Sequence, residues 1–281
     1  MRATMSKTYF KEVGGKEVFC KLKPCNDFDT RTVMFQAKIA ETIGGIFSIN
    51  KFKGINLIQA DKSSYYEIQF EKLSQMPWEP TEANMKLIGT SMAHIHNYAH
   101  FNKDLINLSV KSETYSDMNK WITLKKEFET AYTVRNDIFE QIKRFNLKQP
   151  RIPLHRDFKL HNIVYDGTKY SLIDFDFAAA DFVSIEIMGF IVDVIPYGME
   201  FVKTFFEAYH KTIDIPVDQS SYVTDYLNYL CTNTFPYYLK DKLSVENMTE
   251  LVEYRNKCLN TIYSNKDELN KIIEETQYVS N

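Results

Sequence analysis

Over the first seventy residues, apolar and polar positions alternate in short runs with the period of two that strands impose. Residues 8–13 and 17–23 read as two strands, joined by Gly14-Gly15, a pair suited to the positive φ angles of a tight hairpin turn. In the second strand Val18, Cys20 and Leu22 share one face, and Phe19, Lys21 and Lys23 share the other. The period then changes to that of a helix. Val33, Met34, Ala37, Ala40 and Ile43 mark one over residues 30–43, with Asp27 or Asp29 as its cap and Gly44-Gly45 as its stop. Two further strands are expected at residues 46–52 and 65–70, separated by a polar turn around residues 61–64.

Beyond residue 76 the character shifts. The proline-marked stretch from Met76 to Thr81 reads as a connector. A helix follows over residues 81–100, with Ala83, Leu87, Met92, Ile95 and Ala99 near one stripe, and a long helix is expected over residues 117–145. Residues 154–177 read as loop, strand, turn and strand, and the remainder is mostly helical. Ile185 to Pro196 is the longest apolar-leaning window. Glu186 and Asp193 interrupt it, so it reads as a core helix and not a membrane span. The pattern therefore predicts an α+β chain of two lobes: a small antiparallel-sheet lobe with one helix over residues 1–72, and a larger, mainly helical lobe over residues 73–281.

Composition narrows the partners. The chain has 281 residues, 44% hydrophobic and 25% charged, with 20 Phe and 18 Tyr to build a core. Its 34 basic and 37 acidic residues give a net charge of −3, which supplies no global field for nucleic acid. The N-terminal stretch lacks the apolar run of a signal peptide. Cys20, Cys25, Cys231 and Cys258 have neither disulfide-scaffold nor zinc spacing, and we read them as reduced thiols of a cytoplasmic protein.

The densest chemistry lies in His155-Arg156-Asp157 to Asn162, followed by Ile173-Asp174-Phe175-Asp176. Phosphoryl transfer needs hard oxygen ligands for magnesium and a carboxylate to receive the acceptor's proton. Asp174 and Asn162 meet the first demand, and Asp157 the second. A lone Asp157 would ordinarily be a turn former; Asn162 and Asp174 at their spacings change that. His155 reads as a loop-organising residue, and His94, His96 and His100 as packing or surface residues. Asp176 either assists the metal or caps the following turn. Asp181 and Glu186 are expected to hold the loop through backbone bonds.

These motifs, with the helix motif Gly89-Thr90-Ser91-Met92-Ala93-His94-Ile95-His96, resemble the aminoglycoside phosphotransferase and choline kinase group, small-molecule relatives of protein kinases. The resemblance covers residues 8 to about 200 and implies a protein-kinase-like fold, ATP or GTP with Mg²⁺, and a small-molecule hydroxyl acceptor. Asp157 would be the catalytic base, and Asn162 and Asp174 the metal ligands. Lys21 would contact the α- and β-phosphates, with Lys23 as the alternative. Gln69, Phe70 and Glu71 would form the hinge that binds the base. The usual helix glutamate falls at Gln36, with Glu41 one turn on, and no phosphate-covering loop is visible. Arg156 replaces the glycine common in the small-molecule enzymes and is typical of protein kinases. Alternatives to the small-molecule kinase are thus a nucleotide-binding pseudokinase or a protein kinase. Residues 214–281 hold 11 acidic and 6 basic side chains, which would attract a cationic acceptor such as an aminoglycoside or amino alcohol, or form an ordinary solvated surface. Trp78, Tyr222, Phe235, Tyr237 and Tyr238 would either stack on such an acceptor or belong to the core. No nucleic acid or membrane partner is expected.

Overall fold

The computed structural model describes residues 7–25, 30–43, 52–60, 63–73, 75–76, 78–109, 150–232 and 244–278. Strands β1 (Lys7–Val13), β2 (Lys16–Pro24), β3 (Phe52–Ala60) and β4 (Ser63–Glu71) form one antiparallel sheet in the order β1-β2-β4-β3. The β1–β2 turn uses Gly14 at φ 59° and Gly15 at φ 75°, a pair of left-handed residues whose twist matches that of the strands. Lys21 pairs with Ile68 and Phe19 with Phe70, so the lysine-bearing face of β2 continues across β4.

Helix α1 (Thr30–Ile43) has the expected bounds but a different buried stripe. Phe35 and Ile39 are fully buried beside Val33, Ala37 and Ala40, whereas Met34 is exposed. Helix α1 packs on the sheet and on the loop carrying Asp176, so two sides of it bury. The third strand also differs from expectation. It starts at Phe52 and runs to Ala60, while residues 46–51, the Asp27 and Asp29 caps and Gly44-Gly45 lie outside the described residues. An irregular register between Phe52 and Gly54 breaks the alternation there and hides the strand from a period-two reading. Ser63 and Ser64, expected in the turn, begin β4.

Helix α2 (Glu82–Phe101) starts at Thr81, whose hydroxyl accepts the Asn84 N–H. Its buried stripe is Met85, Ile88, Met92, Ile95 and Ala99; Ala83 and Leu87, expected on it, are exposed. The C-terminal half of the stripe was legible, but at the N-terminal end only the packing partner selects the face. A short α3 (Lys103–Leu108) follows, and the helix expected at residues 117–145 lies outside the described residues. Two small antiparallel pairs come next: β5 (Arg151–Leu154) with β8 (Ala179–Phe182), and β6 (Ile163–Tyr165) with β7 (Tyr170–Leu172).

Helices α4 (Val183–Val194), α5 (Met199–Thr212), α6 (Tyr222–Thr232), α7 (Val245–Ser264) and α8 (Lys266–Tyr278) complete the helical part. Helix α4 is apolar nearly all round because it is surrounded: 10 of its residues are buried. Among the described residues no helix is long and apolar enough to cross a membrane, and Cys20, Cys25 and Cys258 are free thiols. The Cys231 side chain lies outside the described set.

Helices α2 and α5 cross at Gly89. A Cβ there would sit 2.5 Å from the Phe205 carbonyl oxygen and 3.2 Å from Ala208 Cβ. Helix propensity alone would make Ala about 1 kcal/mol better than Gly, but a backbone clash in a packed crossing outweighs it. We expect Gly89→Ala to destabilise the protein by about 1–3 kcal/mol in urea unfolding; a gain in stability would show that the crossing has room.

Candidate active site

Strand β5 delivers His155, and the chain then turns sharply: Arg156 adopts a left-handed conformation at φ 63°. That conformation costs a non-glycine residue about 1–2 kcal/mol and needs support. Glu186 of α4 provides it, accepting the Arg156 backbone N–H on Oε2, while its Oε1 lies 2.9 Å from His96 Nε2. His96 in turn meets the Tyr209 hydroxyl at 2.8 Å through Nδ1. All three side chains are buried, so α2, α4 and α5 converge on one loop residue. The Arg156 guanidinium lies 2.9 Å from the buried Asp181 carboxylate, an ion contact rather than a directed Nε–H bond. Asp181 thus holds the loop through a side chain and Glu186 through the backbone.

His155 is fully buried and organises the loop. Its Nε2 donates to the Ile173 carbonyl at 2.9 Å, and its Nδ1 accepts the Asp157 N–H at 3.2 Å. One neutral tautomer satisfies both bonds. The neighbouring strand is tied in as well, because Ile173 N–H donates to the Asn162 carbonyl at 2.9 Å.

Asp157 and Asn162 come together. The Asn162 amide donates through Nδ2 to both the backbone carbonyl and Oδ2 of Asp157, each at 2.7 Å. That amide orients the carboxylate, while its other atom, Oδ1, is the only one able to ligate a cation. The Asp166-Gly167 turn closes the β6–β7 hairpin, with Gly167 at φ 97° and Asp166 Oδ1 accepting three bonds from Thr168 and Lys169. Asp174 follows β7 in a second left-handed position, at φ 69°.

Asp174 and Asp176 face the sheet lysines. Lys21 Nζ is 2.7 Å from Asp174 Oδ1 and 3.1 Å from Asp176 Oδ1, and Lys23 Nζ is 3.0 Å from Asp176 Oδ1. Burial opposes the charge of Lys21, but Asp176 and Asp174 outweigh it and raise its pKa. Lys23 is deeper, and there burial wins and lowers the pKa despite Asp176. Burial also works against ionised Asp176, yet Lys23 and Lys21 hold its pKa down to about 2. Gln36 fills the place of the helix acid, but it bonds Lys23 at 2.6 Å and the Asp176 carbonyl at 2.7 Å, not Lys21. Glu41 pairs with Lys38 on the surface. Asp176 therefore serves as a counter-ion to both lysines.

Gln69, Phe70 and Glu71 are the last residues of β4, paired with Cys20, Phe19 and Val18. The exposed Phe10 ring lies 5.6 Å from that of Phe19 on the adjacent strand. Of the aromatics read as stacking or core residues, Trp78 and Tyr222 take the packing role. The Trp78 indole donates to the Ile163 carbonyl and packs edge-on against Tyr170, and Tyr222 is fully buried. Phe235, Tyr237 and Tyr238 lie outside the described residues. The buried His96–Glu186 pair escaped sequence reading, although a histidine and a glutamate in apolar helices are signals of a polar core network.

Among the described residues no three His, Cys, Asp or Glu side chains cluster as a closed metal site. The carboxylate of Asp174 with the amide oxygen of Asn162 fits a different type, in which magnesium takes one or two protein oxygens and completes its shell with water and phosphate.

The profile of a phosphotransferase enzyme family matches residues 96–219, the span containing Asp157, Asn162 and Asp174. No curated protein matches the chain. Among solved structures, an amicoumacin kinase in complex with AMP-PNP, Ca²⁺ and Ami aligns at TM-score 0.65 and 11% identity, over 94% of this chain and 87% of that one. A microcompartment-associated aminopropanol kinase aligns at 0.64 and 11%, over 95% and 91%. A spectinomycin phosphotransferase in complex with ADP and spectinomycin aligns at 0.57 and 14%, over 98% and 90%. At these identities the structures speak for the fold, which is protein-kinase-like with a small antiparallel sheet and a larger helical part. Profile and fold together bear out the resemblance to the aminoglycoside phosphotransferase and choline kinase group.

The Asp176 ion cluster makes stability depend on acid. Its folded pKa, about 2, lies below the ordinary carboxylate value, so its contribution is full above about pH 4 and is lost as pH falls toward 2. Asp176→Asn should lower the melting temperature at pH 5–7, by the equivalent of about 2 kcal/mol, and flatten the decline between pH 4 and 2. Thermal melts across that range that are parallel in both proteins would show that the pair contributes nothing.

Proposed function

From this likeness to the phosphotransferase family, we propose that the chain is an ATP- or GTP-dependent kinase that phosphorylates a hydroxyl of a small, amine-bearing molecule. The observation that carries this reading is the Asn162 amide bonded at 2.7 Å to both the backbone carbonyl and Oδ2 of Asp157. It joins a base and a metal ligand on one rigid loop. Residues 1–72 would bind the nucleotide and residues 73–281 the acceptor, in a cytoplasmic protein. Phe10 and Phe19 offer an apolar shelf for the base, next to the backbone of Gln69, Phe70 and Glu71.

Asp157 takes the proton of the acceptor hydroxyl. The freed oxygen forms a bond to the γ-phosphorus as the bond from phosphorus to the β–γ bridging oxygen breaks, and the nucleoside diphosphate leaves with that electron pair. Lys21 neutralises charge on the α- and β-phosphates, while Lys23 and Gln36 keep Asp176 and the metal-binding hairpin in register with the sheet. Mg²⁺, held by Asn162 and Asp174, would supply charge neutralisation for the transferring phosphoryl group. Arg156, the residue that suggested a protein kinase, is taken up by Asp181 within the chain, which favours the small-molecule reading.

Asp157→Ala should lower magnesium-dependent transfer to hydroxylated amines by about 10³-fold or more, with nucleotide affinity nearly unchanged. Coupled detection of nucleoside diphosphate measures this, and wild-type turnover in the variant would overturn the mechanism. Lys21→Met should instead raise the KM for nucleotide as well as lower kcat.

A further inference from the structure

A second groove lies in the helical part, where the C-terminal end of α5, the turn Gln219–Ser221 and the last turn of α8 meet. His210, Val217, Asp218, Gln219 and Gln277 line a cavity of about 320 Å³. None of these elements carries Asp157, Asn162 or Asp174. His210 follows Tyr209, the residue through which α5 meets His96, so the groove opens on the helix that braces the loop.

His210 is only 5% exposed, and Thr276 fixes its tautomer. The Thr276 hydroxyl has one proton, which it donates to the Ile272 carbonyl one turn back on α8, at 2.8 Å. Toward His210 Nδ1, also at 2.8 Å, it can therefore only accept. Nδ1 carries the ring proton, and Nε2 presents a lone pair. Burial lowers the His210 pKa to about 4, which keeps the ring neutral near pH 7. Neither His210 Nε2 nor Gln219 Oε1, both shielded from solvent, has a hydrogen-bond partner among the described residues. Asp218 adds a carboxylate to the same lining, its Oδ1 accepting the Ser220 N–H and hydroxyl. Buried acceptors without partners are costly and rare in folded proteins. A ring nitrogen, an amide oxygen and a carboxylate together call for several N–H donors and a positive charge. A hydroxyl offers one proton and a carboxylate none. One imidazole and one carboxylate fall short of a metal's donor set. Val217, the one apolar side chain of the lining, suits a short alkyl stem, and the volume is at the lower end of small-molecule pockets.

We propose that this groove is an accessory binding site for a small primary alkylammonium compound, whose N–H groups donate to His210 Nε2, Gln219 Oε1 and the Asp218 carboxylate. The inference goes beyond the kinase reading and uses no residue of that site. Full-length protein labelled with ¹⁵N-histidine tests it, because an unprotonated ring nitrogen moves upfield when it accepts a hydrogen bond. The His210 Nε2 signal is assigned by its loss in His210→Phe, or by eliminating the other histidines where that variant does not fold. Adding propylamine or 1,4-diaminobutane at pH 7 should move the signal upfield with saturation, while 1-propanol and propionate leave it in place. Asp218→Asn keeps an acceptor for Ser220 but removes the charge, and should raise the half-saturating amine concentration about 10-fold, as expected when a charged hydrogen bond is lost. Gln219→Ala should raise it about 5-fold. A signal that answers neither amine leaves the groove to water and overturns the proposal. So does equal affinity in wild type, Asp218→Asn and Gln219→Ala, which would place the amine elsewhere. Saturable binding at His210 that both variants weaken upholds the site whether or not the protein transfers phosphate.

Discussion

Two lysines from the sheet and two aspartates from the loop after β7 meet in one partly buried cluster, and the rest of the site depends on it. Lys21 and Lys23 would each be costly to bury alone. Asp174 and Asp176 make them tolerable, and Asp176, touching both, does most to hold the sheet against the hairpin. Asp174 is engaged by Lys21, so in the proposed reaction the lysine would have to turn to phosphate for the carboxylate to hold a cation.

A second constraint holds the loop from His155 to Asn162. Arg156 and Asp174, the two non-glycine residues with positive φ among those described, flank the Asp157–Asn162 segment and its hairpin. Such conformations persist only where the surroundings over-determine them. At Arg156 the surroundings are Glu186, His96 and Tyr209, contributed by three helices packed against one another. The helical part thus supplies more than bulk: it fixes the backbone from which Asp157 projects.

Much of this was legible in the residues. Alternation and the Gly14-Gly15 pair marked the first hairpin, and the bounds of α1 follow from its period. The spacing from Asp157 through Asn162 to Asp174 requires a strand–turn–strand, because only that brings residues so far apart in the chain back together. His155 as a loop organiser follows from its place between two strands. Other features were hidden. The β3 strand carries an irregular register, so its alternation is broken. The stripes of α1 and α2 were misplaced at Met34, Ala83 and Leu87, since an apolar side chain near a helix end does not reveal whether a partner covers it.

The sequence by itself determined the order of elements and the identity of the reactive groups, because local periodicity and turn chemistry act over a few residues. Tertiary structure decided the pairings. That Gln36 bonds Lys23 and not Lys21, that Glu186 holds Arg156, and that His96 meets Glu186 all involve residues from 13 to 90 positions apart. Such contacts depend on how helices pack and which charges share a low-dielectric space. No local pattern encodes that.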